Sequence, residues 1–251
     1  MFTTYADRRT MLKGAMLGAA AFTLAHRSAA ALSPREPHIV LLGDSVFDNG
    51  SYIGKGPDVV KQLNALLPTG GNATLLAVDG SVTSGVGIQL GLAPSDATHF
   101  VVSAGGNDAL HYSPILGEKV SSVAEALERL ADVREAFTRE YRAMLDKVQA
   151  RGLPTAVCTI YEARFPDRKQ RRQAAAGLTL FNDCITREAA ARGLAVIDLR
   201  VICSDDKDLA NPIEPSVIGG AKIANAIAAF AGGYDFRAGR AEVFADGGAK
   251  I

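Results

Sequence analysis

Three polar clusters in this chain bring a hydroxyl, carboxylates, a carboxamide and glycines together at short spacing. They are Gly43-Asp44-Ser45, Asp79-Gly80-Ser81 and Gly105-Gly106-Asn107-Asp108. These side chains suit nucleophilic chemistry. A serine hydroxyl can attack an electrophilic carbon, although it is a weak nucleophile without a base. A glycine lets a backbone N–H come close, because it lacks Cβ. An asparagine amide offers two protons without a charge. Each cluster alone has a plainer reading: a serine behind a strand is often a helix N-cap, and Gly-Gly-Asn-Asp is often a turn.

Histidine, the usual base, is scarce. His26 lies near the N-terminus, His38 and His99 stand where strands begin, and no histidine follows His111. No Gly-x-Ser-x-Gly elbow is present, which argues against the α/β-hydrolase fold. No P-loop or Gly-x-Gly-x-x-Gly opens a helix, so no cofactor is expected. No His/Cys cluster has metal-ligand spacing, so no metal is expected.

The elements that must position these clusters are legible. Five short apolar runs are separated by helical patterns: 38–42, 74–78, 100–103, 155–160 and 195–197. None alternates cleanly. Continuous apolar strands imply a sheet covered on both faces. Helices are expected after Pro57, after the capping-box pattern Ser122-Val123-Ala124-Glu125, through Leu178, Phe181 and Ile185, and through Ile223, Ile227 and Phe230. The expected fold is α/β: a three-layer α/β/α sandwich around a five-stranded, mainly parallel sheet of flavodoxin-like order 2-1-3-4-5. Ligands in such folds bind beyond the carboxyl ends of the strands. All three clusters fall there. The tail after Gly232 is rich in glycine and alanine and shows no period.

Gly-Asp-Ser after the first strand and Gly-Gly-Asn-Asp after the third together resemble the sequence blocks of the SGNH (GDSL-type) hydrolase superfamily. The resemblance spans about residues 38–230. It implies ester hydrolysis by a carboxylesterase- or lipase-like enzyme, with Ser45 as nucleophile. It also implies an oxyanion hole from the N–H groups of Ser45 and Gly80 and the amide of Asn107. Asp44 and Asp108 flank these groups; Asp108 is expected to hold its loop by local hydrogen bonds. Asp48-Asn49 resembles a turn-stabilising pair.

The family's last block, Asp-x-x-His-Pro, is altered. Here it reads Asn211-Pro212-Ile213-Glu214-Pro215, with Glu214 at the histidine position and Asn211 at the aspartate position. Three readings remain open. Glu214 is the base, weaker than histidine by about 2 pKa units unless burial raises it. Alternatively His111, four residues beyond Asn107, fills in. Alternatively the site is catalytically impaired and the chain is a binding protein on this scaffold. Asp208 is either a loop residue or a partner orienting Asn211 or Glu214. Acyl transfer or polysaccharide deacetylation is a further option.

With 251 residues, a net charge of +0 and 48% hydrophobic content, the chain is long enough for one sizeable core. It lacks the basic stripe that nucleic acid requires. The expected substrate is a small-molecule or glycan ester. Residues 1–31 have the order of a signal peptide. Arg8-Arg9 is followed by Lys13, an apolar stretch runs from Gly14 to Ala25, and small residues follow at 28–31. The arginine pair resembles a twin-arginine signal. The stretch is shorter than the ~20 residues of a membrane span. A domain of residues 32–251, exported to the periplasm or secreted, is expected. Cys158, Cys184 and Cys203 fit no zinc or redox spacing.

Overall fold

A computed structural model describes residues 36–247. The expected signal peptide lies outside the described residues. The strands are β1 (His38–Gly43), β2 (Asn72–Leu75), β3 (His99–Ser103), β4 (Thr155–Cys158), β5 (Ala195–Ile197) and β6 (Val243–Phe244). They form one sheet of order β2-β1-β3-β4-β5-β6, in which every pairing is parallel. The expected order holds, with one correction: the described residues form six strands. The sixth comes from the tail that showed no period, because a two-residue edge strand is too short to display one.

The helices are α1 (Val59–Leu66), α2 (Val86–Gly91), α3 (Gly106–Tyr112), α4 (Val123–Gln149), α5 (Arg168–Arg192), α6 (Leu199–Ile202) and α7 (Val217–Gly233). Their ends follow local chemistry. Ser122 caps α4 by accepting from the Glu125 N–H, while the Glu125 carboxylate reaches back to Ser121 instead of the cap residue. Asp167 caps α5, which stops at Gly193 in the left-handed region at φ 64°. Ser216 caps α7.

Alternate residues of β1 feed the two sides of the core. Ile39 and Leu41 pack with α1 and α7 residues such as Leu63, Ile223 and Phe230. Val40 and Leu42 pack with residues of α2, α4 and α5, including Leu90, Phe137, Tyr141 and Ile185. The continuous apolar runs therefore mean what they were expected to mean. Val123 and Leu127, in the first turns of α4, are exposed. Cys158, Cys184 and Cys203 are buried and form no disulfide.

β2 ends earlier than its apolar run suggests. The N–H groups of Leu76 and Ala77 both bond to the Leu41 carbonyl at 2.9 Å. Two residues thus face one, the register is interrupted, and the chain turns up toward Gly80. β1 lies between β2 and β3, so the ends of these three strands adjoin.

Candidate active site

The turn that carries Ser45 begins at Gly43, which has φ +125°; a Cβ there would fall 1.7 Å from the Ser103 carbonyl oxygen. Only glycine fits this approach. The buried peptide groups of Gly43, at the end of β1, are satisfied by the carboxamide of Gln89 on α2. Gln89 Oε1 accepts from the Gly43 N–H at 2.7 Å, and its Nε2 donates to the Gly43 carbonyl at 2.8 Å. The chain then folds back. The Phe47 and Asp48 N–H groups both bond to the Asp44 carbonyl at 3.1 Å, and the Asp44 carboxyl accepts from the Val46 N–H. Ser45 stands at the apex of this turn.

The other loops lean on it. Asp48 Oδ2 accepts from the Asp79 N–H at 3.0 Å, and the Tyr52 hydroxyl donates to Asp79 Oδ2 at 2.6 Å. Gly80 follows at φ +77°. Asn107 opens α3 and donates one amide proton to the Ser81 carbonyl at 3.0 Å, leaving its second proton for another acceptor. Asp108 is buried, and its Oδ2 accepts from both the N–H and the hydroxyl of Thr83 at 3.0 Å. The expected local role of Asp108 is corrected: it ties the third cluster to Thr83, two residues past the second cluster and 25 residues away.

The last block approaches from the far end of the sequence. Asn211 Oδ1 accepts from the N–H groups of Ile213 and Glu214 at 2.9 Å, so Asn211 shapes the turn rather than touching the Glu214 carboxyl. The Tyr161 hydroxyl holds the Ile213 carbonyl at 2.6 Å. Asn49 joins the two ends of the site. Its Nδ2 donates to the Pro215 carbonyl and its Oδ1 accepts from the Val59 N–H, both at 3.1 Å.

Glu214 is 5% exposed. Burial raises its carboxyl above the usual range, the neighbouring Ser45 hydroxyl opposes this, and the nearby charge of Asp79 adds to the rise. Its Oε2 has no hydrogen-bond partner among the described residues. Asp44 is pushed up to about 7. Burial is the main cause, the Val46 N–H opposes it, the Glu214 charge adds to it, and a hydrogen bond with Ser103 opposes it.

Two expected participants stand apart. Asp208 is fully buried against Lys222, whose Nζ lies 2.7 Å from Oδ1, and its Oδ2 accepts from the Asp205 N–H. It orients neither Asn211 nor Glu214 by its side chain, because its carboxylate is held by a lysine on α7. His111 is exposed on α3 and does not border the cavity beside Ser45. Sequence reasoning missed Gln89, Tyr161 and Lys222. A glutamine within the apolar run Val86-Gly87-Ile88-Gln89-Leu90 was the one visible signal.

A cavity of about 210 Å³ opens beside Ser45, with Asp44, Asn107 and Glu214 on its wall. A serine, a glycine and an asparagine at three adjoining strand ends of this sheet define the SGNH class of hydrolase. The family model for GDSL-like lipases and acylhydrolases matches residues 41–217. The chain belongs to that family, and its class is ester hydrolase. Solved structures agree in fold. Phospholipase A1 from Streptomyces albidoflavus is 20% identical, with a TM-score of 0.54 over 74% of this chain and 94% of its own. The extracellular lipase from Streptomyces rimosus is 20% identical, with a TM-score of 0.53 over 74% and 95%. The lipase/acylhydrolase from Enterococcus faecalis is 17% identical, with a TM-score of 0.54 over 76% and 93%. No curated protein matches the sequence.

Proposed function

We propose that this protein is an exported serine carboxylesterase, lipase-like in its chemistry, in which Glu214 does the work of the missing histidine. The observation that carries the reading is the buried Glu214 carboxyl, raised by burial, which shares the cavity wall with Ser45. Ser45 Oγ gives its proton to Glu214 and attacks the ester carbon. The carbonyl oxygen takes the negative charge, which the N–H groups of Ser45 and Gly80 and the free amide proton of Asn107 stabilise. Neither backbone N–H has another acceptor among the described residues. Protonated Glu214 then returns the proton to the departing alkoxide, leaving an acyl ester on Ser45. Water, deprotonated by Glu214, attacks the acyl ester, and Glu214 returns that proton to Ser45 Oγ as the acid departs.

A raised pKa brings a carboxylate closer to the operating pH, which is what a general base needs. Asn211 and Asn49 act as positioning residues, the first through the Glu214 backbone and the second through the loop behind it. Residues 1–31 serve as the export signal, and residues 32–251 as the working domain.

The test uses p-nitrophenyl esters and a fluorophosphonate probe. Turnover and an adduct on Ser45 are expected. Glu214→Gln should lower kcat by roughly 10²–10⁴-fold, the range for a removed general base. Full activity in Glu214→Gln would refute the assignment of the base. Absence of both turnover and adduct would favour a binding protein on the same scaffold, and Glu214→His would then be expected to restore hydrolysis.

A further inference from the structure

The cavity beside Ser45 extends well beyond the groups that the reaction needs. It runs between α3, α4 and α5, where its walls include Leu110, Leu130, Val133, Ile160, Leu178 and Phe181. Asp44, Asn107 and Glu214 stand at the nucleophile end, and Gln170 and Gln173 on the exposed start of α5. Outside the cavity an apolar strip continues. Val123 and Leu127 lie on α4, one turn apart and leading to Leu130, and both are exposed, as are Leu110 and Leu116. Apolar surface next to an apolar cavity marks a place where an apolar ligand enters.

One residue of this wall is out of character. Gly177 lies in the interior of α5, a 25-residue helix, where glycine weakens the helix relative to alanine. It stands one turn before Phe181, on the face whose later positions, Cys184, Ile185 and Glu188, are buried. A Cβ on Gly177 would meet no atom within 4 Å, and its φ is not in the left-handed region. Neither a turn nor a close approach calls for glycine there. What the missing side chain leaves is room in the cavity.

We propose that the cavity is an acyl-chain pocket, that Gly177 sets its depth, and that the preferred substrates are esters of medium-length apolar acids rather than acetyl esters. The proposal rests on the assignment of Ser45 as nucleophile. A cavity of about 150 Å³ holds the six carbons of benzene, so about 210 Å³ suits roughly eight carbons.

The experiment compares kcat/KM for p-nitrophenyl acetate, butyrate, hexanoate, octanoate and dodecanoate. A fully buried methylene contributes about 0.8 kcal/mol, or roughly a fourfold gain per carbon. The rise should continue to about octanoate and then stop. In Gly177→Leu the octanoate-to-acetate ratio should fall at least tenfold, with a melting temperature equal to or above that of the native protein. Leu130→Trp, which narrows the same cavity from α4, should lower the ratio similarly and serves if the first variant misfolds.

Binding of octanamide to Ser45→Ala, measured by calorimetry, reads the pocket without catalysis. Binding that is lost on adding Gly177→Leu would uphold the pocket even if no ester were hydrolysed; only the catalytic reading would then fall. An octanoate-to-acetate ratio that is flat in the native protein and in both variants, or no octanamide binding, overturns the proposal.

Discussion

Asp44 offers a test of how the site is held together, because its burial has a thermodynamic signature. Its carboxyl is 3% exposed and titrates at about 7, against 3.8 for an ordinary aspartate. An acid whose folded pKa lies above its unfolded value takes up protons on folding. Stability associated with it is intact below about pH 4, declines as pH rises toward 7, and is fully lost above 7. A shift of about 3 units corresponds to about 4 kcal/mol. By linkage, roughly 3 kcal/mol of this develops between pH 4.5 and pH 8.5. Asp44→Asn removes the ionisation and keeps an oxygen for the Val46 N–H. The variant should therefore gain roughly 3 kcal/mol over the native protein between those two pH values. The measurement is urea unfolding of both proteins at pH 4.5, 6.5 and 8.5, with the denaturant slope checked for constancy. Because Glu214, whose charge contributes to the shift, is present in both proteins, its own titration largely cancels. A stability difference that stays the same across the three pH values would refute the reasoning.

Two further outcomes follow from contacts described above. Asn107→Ala should lower kcat by roughly 10²–10³-fold, the effect of a lost oxyanion donor. Its melting temperature should fall by only about 2–4 °C, since the amide makes one hydrogen bond, to the Ser81 carbonyl. Lys222→Met should destabilise by about 3–5 kcal/mol in urea unfolding, because it strands the fully buried carboxylate of Asp208 without its partner.

The sheet order and the three clusters were legible because parallel strands buried on both faces leave continuous apolar runs, and because glycine is the only residue tolerated where the chain doubles back, as at Gly43. The glutamate in the last block was legible from its register between Asn211 and Pro215. What stayed hidden depends on long-range geometry. Asp208 reads as an acid near the site, yet its charge is claimed by Lys222, fourteen residues later. Asp108 reads as a turn former, yet it serves Thr83. Gln89 gives no motif at all, because a carboxamide that mimics a strand's hydrogen-bonding edge can come from any helix that passes close enough. β6 was missed because two residues cannot show a period.

The bond from Asn49 to the Pro215 carbonyl closes a loop of 166 residues. Contacts of such separation carry a high chain-entropy cost and form late in folding. During synthesis the chain emerges with its N-terminal part first, so the turn bearing Ser45 exists long before its acid partner. A fragment ending before Asn211 would hold Ser45, Gly80 and Asn107, but neither Glu214 nor the Pro215 carbonyl that anchors Asn49. In the proposed mechanism hydrolytic competence is thus tied to completion of the last block: a product that stops short of Glu214 carries its nucleophile unarmed.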